Sequence, residues 1–258
     1  MPFRNSASNL KFISGIHNYC DRWCERCHFT ARCEVYAAEE ANPDDGSSRD
    51  ISNAAFWQKL KSTFEETHKM ITEWAEKNGV DLSAEALAPI AELQEKQRRD
   101  TRKHPLAQAA EKYAFDLSEW FAKEFPQIEE FTDGRPTSED TYEIGQDLND
   151  YVEVVQWYQF FIAVKTMRAL MSRLDEDVDL ASEDARDSDG SAKVALIAID
   201  RSISAWKLIY DLRLEAADSI QPLLFQLDKM RSETETEFPN ARDFVRPGFD
   251  EPTLDVLH

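Results

Sequence analysis

The chain has 258 residues, room for one large domain or two small ones, and its 42% hydrophobic content can build a core without crosslinks. Its 50 acidic and 30 basic residues leave a formal net charge of −20, which repels phosphates and anionic membrane surfaces at long range and argues against generic nucleic-acid binding. No run approaches the ~20 apolar residues of a bilayer span and MPFRNSASNLKFISG lacks the apolar stretch of a secretory signal, so a soluble cytoplasmic protein without a membrane partner is expected.

Residues 1–36 contain every cysteine and read as a cysteine-rich metal-binding head. The stretch AAEEANPDDGSSRD (37–50) has turn formers at Asn42-Pro43 and Asp45-Gly46 and reads as a linker. Beyond it apolar residues recur at spacings of three and four, the pattern of helices. A first helix is expected over about 51–78, with Phe56, Leu60, Phe64, Ile71 and Trp74 on one stripe and a stop at Asn78-Gly79. A helical region over about 83–125 should be broken or kinked at Pro89 and Pro105. FPQIEEFTDGRPTSED reads as a loop, followed by a helix over about 137–175 whose stripe includes Ile144, Leu148, Val152, Val155 and Ile162. The acidic run DEDVDLASEDARDSDGS reads as a mobile connection, and a helix over about 192–231 carries Ile199, Ile203, Trp206 and Tyr210. Residues 232–258 read as an irregular tail. The expected fold is all-α: a bundle of about four main helices over 51–231, with the small metal-binding head in front of it.

The head carries the chemistry. Cys20, Cys24, Cys27 and Cys33 form C-x3-C-x2-C-x5-C, and thiolates this close together are the soft ligands that iron and zinc take. Zinc sites commonly use two C-x2-C knuckles; here there is one, and a [4Fe–4S] cluster accepts uneven spacing from a single segment. The four cysteines are therefore expected to bind a [4Fe–4S] cluster, with zinc as the alternative. Arg22, Arg26 and Arg32 could balance cluster charge or form a solvated face, and Trp23 and Phe29 could shield a centre or pin the segment against the bundle. His17 and His28 are spare ligands.

The last three cysteines, C-x2-C-x5-C, resemble the cluster loops of endonuclease III-type DNA glycosylases and of SPASM-type auxiliary cluster domains, both of which bind [4Fe–4S]. The likeness covers only the cysteine segment, and the gap before it departs from the glycosylase pattern, so it implies a cofactor and no activity. The first three cysteines also match the spacing of radical S-adenosylmethionine enzymes, but those need a strand-and-helix barrel that this chain does not encode.

One further fragment, Glu65-Glu66-Thr67-His68, puts Glu65 and His68 on one helix face, as one element of a second, iron site in the bundle. Glu111, Glu153 and Asp200 lie amid apolar residues and are candidate carboxylates, or partners of basic residues such as Arg201 and Lys207. No phosphate-binding glycine loop, Gly-x-Ser-x-Gly elbow or His-Glu-x-x-His helix occurs, and the sequence leaves open whether the chain is an enzyme. The expected function is that of an iron–sulfur electron carrier; the alternatives are a metal-stapled helical interaction protein and a helical oxidase with iron near Glu65 and His68. A protein partner is expected in the first two cases, and the acidic surface favours a basic one.

Overall fold

The structure, a computed structural model, describes residues 11–41, 52–133, 139–176, 187–213 and 216–251. Among these residues there are seven α-helices and no strand. They are α1 (Glu34–Ala41), α2 (Ala54–Asn78), α3 (Ala84–Arg102), α4 (Pro105–Asp133), α5 (Glu139–Glu176), α6 (Asp187–Leu212) and α7 (Ala217–Glu237). The all-helical character agrees with the periodicity, but the expectation of about four helices behind a metal-binding head is corrected: among the described residues there are seven helices and no distinct N-terminal metal-binding head.

Two compact units divide the chain, one of residues 1–14 and 24–96, the other of residues 15–23 and 97–258. The cysteine segment is split between them after Trp23.

In the second unit α4 packs on α5, α5 on α6, α6 on α7, and α7 returns beside α4, so four helices close a ring around one core. Each contributes a stripe at spacings of three and four: Tyr113, Leu117 and Trp120 from α4, Val152, Val155 and Ile162 from α5, Ile199, Trp206 and Ile209 from α6, Ile220, Leu223 and Leu227 from α7. A line of small buried residues on α6, Ser191, Ala195, Ala198, Ser202 and Ala205, lets neighbouring backbones approach closely, and α5 with α6 is the most extensive helix pair. At the centre the Trp120 and Trp206 rings meet edge to face at 4.8 Å, and the fully buried Trp206 donates its Nε1–H to the Tyr113 hydroxyl at 3.1 Å. Buried Gln159 of α5 donates to the Ala114 carbonyl (2.7 Å) and the Ser118 hydroxyl (2.6 Å), clamping α5 to α4.

The first unit is more open. Two 3-10 turns, Cys24–Arg26 and Thr30–Arg32, lead into α1, and Ile13 donates its N–H to the Arg32 carbonyl at 3.0 Å. Helix α2 starts where Asn53 Oδ1 accepts the Ala55 N–H and stops at Gly79, whose φ of 67° is the left-handed conformation a glycine adopts without strain. Helix α3 runs through Pro89, and the division between the units falls within it.

Several boundaries differ from the periodicity. The expected loop from Phe125 onward begins as helix, since α4 continues past Pro126 to Asp133. The expected helix over 192–231 is two helices, and part of the expected irregular tail is the end of α7 and a 3-10 turn over Ala241–Asp243. Of the expected linker, residues 37–41 belong to α1 and 42–50 lie outside the described residues, as do 177–186 of the expected acidic connection and 252–258 of the tail.

Candidate functional site

All four cysteines are described, half-buried and free of disulfides, with Cys20 in the second unit and Cys24, Cys27 and Cys33 in the first. Among the described residues no three His, Cys, Asp or Glu side chains are grouped so that they could hold a metal ion. That finding overturns the [4Fe–4S] centre, its zinc alternative, the electron-carrier reading and the likeness to cluster loops. Closeness in sequence is not convergence in space here. Cys20 Sγ donates to the His17 carbonyl at 3.5 Å, and burial pushes its thiol pKa up, opposed by its hydrogen bond with the Arg22 backbone. Cys27 Sγ accepts the Phe29 N–H at 3.4 Å, and its own N–H goes to the Cys24 carbonyl. His28 is exposed.

The reason is that residues 15–23 are a docking peptide of the helical ring. Ile16 and Trp23 are buried, and Trp23 stacks on Trp157 of α5 with centroids 4.9 Å apart and planes at 16°. The Trp157 indole donates to the Asp21 carbonyl at 3.1 Å, and the Tyr158 hydroxyl donates to Asp21 Oδ2 at 2.8 Å. Arg201 of α6 donates to the same carboxylate oxygen and to the Tyr158 oxygen, so α5 and α6 hold Asp21 together. Burial drives the Tyr158 phenol up to about 12, against the pull of the Arg201 guanidinium. Tyr19 lies over Gly190, touches Phe244 at 4.7 Å between centroids and donates to Asp187 Oδ1 at 3.0 Å. Of the two roles open to Trp23, the structure shows the pin. Arg22, at φ 59°, takes the left-handed backbone that a non-glycine residue seldom adopts, next to the point where the chain leaves this unit.

The second expected site also disperses. Glu65 and His68 are exposed on α2; Glu65 pairs with Lys61 at 3.7 Å, and no metal-holding group includes either among the described residues, which overturns the iron site and the oxidase reading. Glu111 and Glu153 are exposed. Asp200 is an ion-pair residue, but its partners are Arg242, near the C-terminal end of the described chain, and Arg231 at 3.9 Å, while Arg201 turns to Asp21.

What remains as a candidate functional surface is α2 itself. Only Ala75 of its 25 residues is buried, yet it carries Trp57, Phe64, Ile71 and Trp74, with Phe64 65% and Trp74 58% exposed. With half-buried Leu60 and exposed Thr67 they fall at positions 57, 60, 64, 67, 71 and 74, the alternating three-and-four spacing of a coiled-coil seam. The helix is electrically neutral, four lysines (Lys59, Lys61, Lys69, Lys77) balancing four glutamates (Glu65, Glu66, Glu73, Glu76), whereas the whole chain is at −20. It is capped at both ends and stiffened by the Lys61–Glu65 and Lys69–Glu73 pairs one turn apart, so the seam is presented on a formed helix. None of the described helices is long and apolar enough to cross a membrane. Set against known proteins, the chain matches no family model, no curated protein and no solved structure.

Proposed function

We propose that this chain is a cytoplasmic helical interaction protein that captures an amphipathic helix of another protein along α2. The observation that carries the reading is the exposed seam Trp57–Phe64–Ile71–Trp74 on a helix with a single buried residue. Soluble proteins seldom leave so long an apolar stripe in water unless it is an interaction surface, and each such side chain gains about 1.5–3 kcal/mol when fully covered. Two tryptophans in one stripe supply the large, rigid contacts that dominate binding energy. The net charge of −20 steers a basic partner toward the molecule, while the neutral seam makes the contact. Four free thiols fit a reducing compartment.

The test is site-specific photocrosslinking in cells with the full chain, placing the crosslinker at position 64 or 71 on the seam or at position 69 on the opposite face. The expected result is one discrete heterologous adduct from 64 and 71, absent from 69 and lost when Trp57 and Trp74 are changed to serine. The same adducts from all three positions, or no adduct from the seam, would defeat the reading. Adducts only with a second copy of the chain would replace capture of another protein with self-assembly.

A further inference from the structure

On the second unit a groove runs between α4 and α5, about 740 Å³ in volume. Its walls are apolar: Ala107 and Ala114 with Phe115 from α4, and Phe160, Val164 and Met167 from α5. Three of these are large apolar groups that the helical ring leaves in water, Phe115 at 58%, Phe160 at 53% and Val164 at 62% exposure. The Phe115 and Phe160 rings meet edge to face across the two helices with centroids 6.4 Å apart, so the apolar surface is already organised. Methionines at 167 and 171 add polarizable side chains that adapt to a flexible guest.

The polar lining has a sign. Arg98 and Arg102, one turn apart on the last stretch of α3, both border the groove, as does Arg168 of α5, which Asp187 fixes through two bonds of 2.8 and 3.2 Å. Glu111 is the one carboxylate in the lining. A chain with an excess of 20 negative charges thus concentrates arginines beside an exposed apolar trough. Guanidinium groups recognise carboxylates through paired, directional N–H donors, and the volume lies within the ~300–1,000 Å³ of small-molecule sites.

We infer that this groove binds a long-chain carboxylate, its alkyl chain along Phe115, Phe160 and Val164 and its anionic head at Arg98 and Arg102. The amphiphilic shape matches the lining: one end needs a negative charge and the rest needs none. The site lies apart in the sequence from the α2 seam and stands or falls independently of it.

The experiment is titration of the full chain with cis-parinaric acid, followed by fluorescence, and its displacement by dodecanoate and by methyl dodecanoate. The expected result is saturable binding that dodecanoate competes for about tenfold better than its uncharged ester. Arg98→Gln with Arg102→Gln should remove that preference, weakening the acid about tenfold and leaving the ester unchanged, as loss of a charge-assisted contact implies. Val164→Trp, at an exposed position, should weaken both tenfold or more by filling the trough; Phe160→Gln serves if that variant loses its helical circular dichroism. Absence of saturable binding, or binding undiminished in folded groove variants, would overturn the site. Equal affinity of the parent protein for acid and ester would overturn the anionic head.

Discussion

Gly190→Ala tests the docking of residues 15–23. Gly190 sits in the first turn of α6, and a Cβ there would lie 2.3 Å from Tyr19 Cε1, 2.7 Å from Tyr19 Cδ1 and 2.8 Å from Phe244 Cζ. None of these is the loose end of a flexible chain: the Tyr19 ring is held by its bond to Asp187 and its contact with Phe244. Overpacking of this kind costs about 1–3 kcal/mol. If the ring moves away instead, its bond to a charged acceptor is lost, about 1.5–3 kcal/mol. Alanine returns about 0.5–1 kcal/mol of helix propensity. The expected net destabilisation is about 1–1.5 kcal/mol, a Tm lower by roughly 2–6 °C for a unit of this size, read by calorimetry or circular dichroism. The same substitution in a Tyr19→Ala background should cost clearly less, because the nearer of the two obstructing rings is gone and only the 2.8 Å approach to Phe244 Cζ remains. A Gly190→Ala protein as stable as its parent, or an equal loss in both backgrounds, would refute the argument.

Tyr113→Phe leaves the buried Trp206 N–H without its acceptor and should cost about 1–3 kcal/mol, measured by urea unfolding, with no change in helical content. Tyr158 holds its proton to about 12 in the folded chain against an ordinary 10, so the native state binds the proton more tightly. Its contribution is complete below pH 10 and disappears as the pH rises toward 12; Tyr158→Phe should flatten that part of the stability-against-pH curve, and an unchanged slope between parent and variant would contradict it. Asp187 is held below the ordinary carboxylate range because its bonds from Arg168 and Ser172 outweigh the cost of burial; its contribution is present at neutral pH and is lost as the pH falls below that range, so Asp187→Asn should blunt acid unfolding. Asn53→Ala removes the cap of α2 and should speed amide exchange in its first turn, corresponding to about 1 kcal/mol, without altering the stability of the helical ring.

Local chemistry was the legible part of this molecule. Asn78-Gly79 stops α2 as glycine stops predict, Pro105 opens α4 at the first helical position, and Val152, Val155 and Ile162 form the buried stripe that their spacing implies. Prolines proved poorer guides inside helices. Pro89 removes one N–H from a well-exposed turn, where water can serve the freed carbonyl, so α3 runs through it. The break between α6 and α7 has no proline or glycine to mark it; the chain turns at Arg213, whose N–H goes to Ile209 and whose carbonyl accepts from Ala216. The site was least legible because it depends on distance. The cysteine spacing promised convergence, yet Asp21 and Trp23 lie among those cysteines and are claimed by Trp157, Tyr158 and Arg201, far along the sequence. The one local hint was an aspartate and a tryptophan side by side with an arginine in a short polar segment. The periodic stripe Phe56, Leu60, Phe64, Ile71 and Trp74 shares four residues with the seam of α2 but misses Trp57, and periodicity assigns such a stripe to a core, where its exposure shows otherwise.

The split of the N-terminal segment has a consequence for how the molecule is made. Residues 15–23 are synthesised long before α5 and α6, the helices that receive them, so this part of the native contact set closes a loop of some 136 to 180 residues. Closing so long a loop is slow compared with forming adjacent helix pairs, which places the docking of Asp21 and Trp23 late in folding, after the ring has assembled. Until then the Trp157 face stays open, and Cys20, on the undocked peptide, lacks the partial burial that the folded chain gives it. A chaperone, or a short peptide bearing the sequence of residues 15–23, would find its opening in that interval.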